Sequence, residues 1–121
     1  YSIEHENSSF YGNLKVVGVR SDKNNSISSY KLYQNGFTQN TIDKDGNSLN
    51  SYTYILDALS QFTKPENALV LGLGAGIVPT KLYNRGYNVD VVEIDPSTLQ
   101  IAESLDFSKA HLTAVLKEMA E

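Results

Sequence analysis

The sequence predicts an α/β chain: an N-terminal antiparallel β-hairpin unit, then the start of a doubly wound parallel sheet. Three observations carry this. Asn35-Gly36 separates two runs rich in β-formers, and Asn-Gly suits both left-handed positions of a type I′ hairpin turn. The apolar run "NALVLGL" leads directly into Gly72-x-Gly74-x-Gly76 and a helical pattern. A second strand, "YNVDVVEID", ends in acids and meets Pro96, a residue suited to the first turn of a helix.

Each element follows in order. Residues 11–19 read as a strand and 21–26 as a polar loop. Residues 29–34 and 37–42 form the hairpin, and 43–48 a second turn. Asp43, Asp45 and Asn47 around Gly46 resemble a fragment of a calcium loop, but a turn accounts for them better. Tyr52, Ile55, Leu56, Leu59 and Phe62 fall at helical spacing and predict one apolar stripe. Asn50 or Ser51 is placed to cap that helix, and Lys64-Pro65 to stop it. Tyr52 and Tyr54 lie on different faces, so at most one should meet the core.

The run 67–73 is expected to be a parallel strand covered on both faces. Residues 77–86 predict a helix ending at Gly86. Pro96 opens another helix. Ser108 is placed to cap a closing amphipathic helix with Leu112, Val115, Leu116 and Met119 on one face. The expected organisation is therefore a β unit over 1–50, a linking helix over 51–64 and a partial Rossmann-like nucleoside-binding domain over 66–121. Only two parallel strands are legible, where a doubly wound sheet commonly has about six. Three accounts stay open: a chain cut short, a segment missing near 104–108, or completion by association.

Composition narrows the function. The chain has 121 residues, 40% hydrophobic and 20% charged, with a net charge of −4. No basic stripe is present, so nucleic acid is not the expected partner. No apolar run approaches the ~20 residues of a membrane span, so no membrane partner and a cytoplasmic location are expected. The absence of cysteine excludes disulfides, thiolate zinc sites and Cys nucleophiles. His5 and His111 have no metal-ligand spacing to a partner, so no metal is expected. No Gly-x-Ser-x-Gly elbow occurs. The chain opens on Tyr1 rather than Met, as expected of a trimmed chain or a piece of a longer one.

The glycine loop carries the chemistry. Glycine lets the chain turn sharply and lets a ligand approach the backbone. The following helix turns its positive end toward the loop. A dinucleotide fingerprint needs glycine at position 77, which is Ile77. Glu93 follows Gly76 by 17 positions at the end of the next strand. An ionised carboxylate there can accept hydrogen bonds from both ribose hydroxyls. Asp95 is a second candidate, with helix capping as its competing role.

Taken together, "ENSSFYGNLKV", "LYQNGFTQ", "YTYIL", the glycine loop and "VEID" resemble, in order and approximate spacing, the motifs of the spermidine synthase family of aminopropyltransferases. The resemblance covers residues 4–104. It implies a class I S-adenosylmethionine-binding core. It assigns Gly72, Gly74, Gly76 and Glu93 to the nucleoside, Gln39 to its vicinity and Tyr52 to the helix motif. The sequence departs from the family at Ala75, where the family has an aspartate, and at Thr53 and Tyr54, where it has His and Glu. The family's later loop with the catalytic aspartates has no counterpart after residue 104.

The expected function is binding of S-adenosylmethionine, its decarboxylated form or methylthioadenosine, with the catalytic acids absent from this chain. The expected partner is a small-molecule nucleoside, and a homodimer is expected. Two alternatives remain: a non-catalytic scaffold that dimerises through the open edge of an incomplete sheet, and a small-molecule methyltransferase.

Overall fold

The structure is a computed structural model that describes residues 1–104. The chain divides into two compact units, Tyr1–Asn50 and Ser51–Glu121. The helix expected over residues 108–121, with His111, lies outside the described residues.

The first unit is an antiparallel meander of four strands: β1 (Ser2–Ser9), β2 (Gly12–Arg20), β3 (Ile27–Gln34) and β4 (Phe37–Asp43). β1 escaped the sequence reading because "SIEHENSS" is polar and carries no apolar alternation. It forms by pairing with β2, from Ser9↔Gly12 to Ser2↔Gly18. One face supplies the apolar packing. Leu14 and Val16 on β2, Leu32 on β3 and Ile42 on β4 are buried, and the register sets Val16 opposite Leu32. The Asn35-Gly36 turn has φ of 50° and 82°, both left-handed, as the type I′ geometry requires. After β4, the Asp43 carboxylate accepts the Asp45 and Asn47 backbone N–H groups, each at 2.9 Å. It thereby organises a turn that returns to an Ile42↔Ser48 bridge.

The second unit begins with α1 (Ser51–Leu59) and a single 3-10 turn (Ser60–Phe62). A β–α–β segment follows: β5 (Asn67–Leu71), α2 (Ile77–Asn84) and β6 (Asn88–Val92), then α3 (Pro96–Ser104). β5 and β6 pair in parallel, from Asn67↔Asn88 to Leu71↔Val92. Leu73, Val91 and Ala102 form the buried cluster, with Val70, Val89 and Leu99 packed against it. α2 ends in a Schellman motif. Gly86, at φ 93°, donates to Tyr83, and Tyr87 donates to Leu82.

Two expectations are corrected here. The described parallel sheet has two strands, β5 and β6, and β5 is not covered on both faces. Its burial alternates, with Leu69 at 66% and Leu71 at 77% exposure. The reason is that the described elements bury Val70 with the core cluster and leave the opposite face of β5 open. The predicted apolar stripe of α1 is also exposed, and Thr53 is the α1 residue that is buried. A polar clasp sets the packed face instead. Thr53 and Asp57 share one side of the helix at i, i+4 spacing. Arg85, just past α2, donates to both Asp57 carboxylate oxygens, at 2.6 and 3.0 Å.

Candidate functional site

Parallel pairing brings the carboxyl ends of β5 and β6 side by side. Ligands of open α/β sheets bind at this end of the strands. The ladder continues one step beyond β5, where the Gly72 N–H donates to the Val92 carbonyl at 2.7 Å. Gly72, Gly74 and Gly76 then take φ of 89°, 55° and 79°. All three lie in the left-handed region, which costs a side-chain-bearing residue roughly 1–2 kcal/mol. The intervening Leu73 and Ala75 are buried. The Gly76 N–H donates to the Leu73 carbonyl at 2.9 Å, and the Gly76 carbonyl accepts from Thr80 at 3.1 Å as α2 begins. Gly76 is the N-cap residue and brings no capping side chain. The positive end of the helix dipole therefore lies at the loop. A Cβ built on Gly72 would meet no heavy atom within 4 Å. The glycine is thus required by its backbone angle, and the loop presents open main chain there.

Glu93 stands one residue after β6 and spans the two loops. Its Oε2 accepts the Leu73 N–H at 2.8 Å, and its Oε1 accepts the Asp95 N–H at 2.9 Å. A carboxylate has about four lone-pair positions, so each oxygen keeps capacity for a further donor such as a ribose hydroxyl. Asp95 is 1% exposed. Its Oδ1 accepts the Ser97 N–H at 2.9 Å, and its carbonyl accepts from Thr98. It therefore caps α3, with Pro96 in the first turn, as the sequence competition between capping and ligand binding allowed.

The structure brings Gly72, Gly74, Gly76, Glu93 and Asp95 to this one end of the second unit. Tyr52 lies in the first turn of α1 and is 45% exposed. Gln39 is an exposed residue of β4 in the first unit. Sequence reasoning missed Leu73, whose buried side chain and bonded amide fix the middle of the glycine loop. The available signal was its apolar character between two glycines. It also missed the Asp57–Arg85 pair, which no local pattern announces because 28 positions separate the two. The Arg85 guanidinium holds the Asp57 carboxyl below its ordinary value, and Asp57 in turn raises Arg85. Lys81 sits 4.6 Å above the Tyr54 ring and reinforces the same α1–α2 contact.

Among the described residues, no three His, Asp or Glu side chains gather to hold a metal ion. No described helix is long and apolar enough to cross a membrane.

No protein-family model matches the chain. A segment of 56 residues is 46% identical to the polyamine aminopropyltransferase of Vibrio vulnificus (strain CMCP6), covering 43% of this chain and 18% of that protein. The chain thus spans less than a fifth of the length of this relative. Among solved structures, TehB from Haemophilus influenzae aligns over 84% of this chain and 48% of its own, at 12% identity and a TM-score of 0.36. That resemblance is too loose to bear on fold or ligand. The likeness to the aminopropyltransferase is confined to that segment.

Proposed function

We propose that the second unit binds an adenosine nucleoside bearing a 5′ sulfur substituent: S-adenosylmethionine, its decarboxylated form or methylthioadenosine. The observation that carries this reading is the meeting of a three-glycine left-handed loop with the Glu93 carboxylate at the ends of two parallel strands. The residues present fit such a ligand. The exposed backbone at Gly72 gives the 5′ arm a surface without side chains. Glu93 accepts from the ribose diol through its remaining lone pairs. Gly74 and Gly76 line the turn beside the helix end. The segment likeness to an aminopropyltransferase supports the same ligand class.

A sulfonium ligand would supply an electrophilic carbon, and this chain's part is to bind and orient it. Ala75 offers a methyl group where the resembled family places a carboxylate to hold the reacting amine. Asp95 is committed to α3. We therefore assign to the glycine loop and Glu93 the binding and orientation of the nucleoside. Calorimetric titration with the three nucleosides tests the reading. Saturable heat with at least one of them is expected. No heat and no thermal shift at millimolar ligand would overturn it.

A second reading is favoured by one observation. β5 borders the described two-stranded sheet and exposes Leu69 and Leu71. Among the described residues its other edge carries no strand, and an unpaired edge is a template for another strand, with Leu69 and Leu71 adding open apolar surface on the adjoining face. Two copies of β5 pairing antiparallel about a two-fold axis would give a homodimer. Sedimentation at rising concentration should then show a shift to twice the mass. A concentration-independent monomer rejects it.

A further inference from the structure

We propose that Glu93 is a positioning residue for the glycine loop: it sets the gap between the two loops at the strand ends before any ligand arrives. This role is additional to ribose binding, and only the second of its two readouts rests on the nucleoside reading. Each Glu93 oxygen already accepts one backbone N–H, and the two donors come from different loops. Leu73 belongs to the loop after β5, and Asp95 to the loop after β6. The Leu73 side chain is only 5% exposed and packs with Val91 and Ala102. Leu73 is therefore held from two sides, by its side chain in the core and by its amide on Glu93. Gly72 and Gly74 flank it, and glycine loses more conformational freedom on ordering than any other residue. A fixed point between them orders the loop in the free protein, so less ordering remains to be done when a ligand binds.

The chemistry requires a carboxylate. A glutamine at this position has one acceptor oxygen and one donor nitrogen. Whichever way the amide turns, one of the two N–H groups faces another donor.

Hydrogen exchange on the 121-residue chain, read residue by residue, tests this without any ligand. The Leu73 and Asp95 amides should be protected although both lie in loops. Glu93→Gln should accelerate exchange at one or both by at least about tenfold, the loss of a charge-assisted bond. Asp90→Asn, an exposed change on the same strand, should leave both rates unchanged. Unprotected amides in the unaltered chain, or equal rates in the Glu93 variant, overturn the proposal. If the variant does not fold, the protection pattern of the unaltered chain decides. The second readout uses 2′,3′-dideoxyadenosine, which lacks both hydroxyls. About tenfold weaker binding to Glu93→Gln than to the unaltered chain supports loop positioning. Equal binding means that Glu93 serves the diol alone and overturns it. If no nucleoside binds the unaltered chain, the proposed function fails, while the exchange result still decides the role of Glu93.

Discussion

Gly12 shows how far a single position reaches beyond its neighbours. Its φ is 122°, and a Cβ there would stand 2.2 Å from Asn35 Oδ1. That oxygen cannot simply withdraw, because it accepts the Asn13 N–H at 2.9 Å. Gly12→Ala should therefore destabilise the first unit by about 2 kcal/mol, the usual scale of overpacking. Urea unfolding checks this, and a change under 0.5 kcal/mol contradicts it. The hairpin role of Asn35 was legible from the dipeptide Asn35-Gly36. Its bond to a strand 22 positions earlier was not, because only β2–β3 pairing creates that proximity. Asp95 gives a second test at this scale. Asp95→Ala removes the α3 cap and should cost about 1–2 kcal/mol, whereas Asp95→Asn keeps an acceptor and should cost less. Thermal unfolding of both variants checks the order.

Between elements, the Asp57–Arg85 pair joins α1 to the end of α2. Both side chains are partly exposed, 24% for Asp57 and 32% for Arg85. Solvent screening keeps such a pair near 1 kcal/mol even with two bonds, so Asp57→Asn should lower stability by about that amount at neutral pH. The sign with pH follows from the direction of the shift. Arg85 lowers the folded-state value of Asp57 beneath 3.8. Its stabilisation is therefore complete well above pH 3.8 and is lost as pH falls through the lower folded value. The gap between the unaltered chain and Asp57→Asn should close in denaturation series carried below that pH. A gap constant down to pH 2 would show that the pair contributes nothing through its charge. Hydrophobic periodicity pointed to the wrong face of α1, because it weighs Ile55, Leu56 and Leu59 and has no means to see a charge pair with Arg85. Periodicity did find α2, β6 and α3, where apolar spacing, Gly86 and Pro96 mark the elements locally.

At the largest scale, the second unit leaves an open apolar surface. Leu56 joins Leu69, Leu71, Val78 and Leu82 around a groove of about 280 Å³. Leu71→Lys should change the chain's unfolding free energy by no more than about 0.5 kcal/mol, the range for surface positions. If β5 pairs with a second copy, the same change should abolish the heavier species in sedimentation. A large loss of stability without any change in mass would show that Leu71 is buried in solution by the chain itself. Local sequence carried the Asn35-Gly36 turn, the glycine loop and the acid just beyond β6. These rest on the conformational range of single residues and on short-range spacing, both of which are local. Tertiary structure alone decided that Glu93 bonds to Leu73 across two loops, that α1 packs through Thr53 and Asp57, and that Leu69 and Leu71 stay open. Each of these depends on which distant segments become neighbours, and an apolar residue carries the same letter whether or not another element comes to cover it.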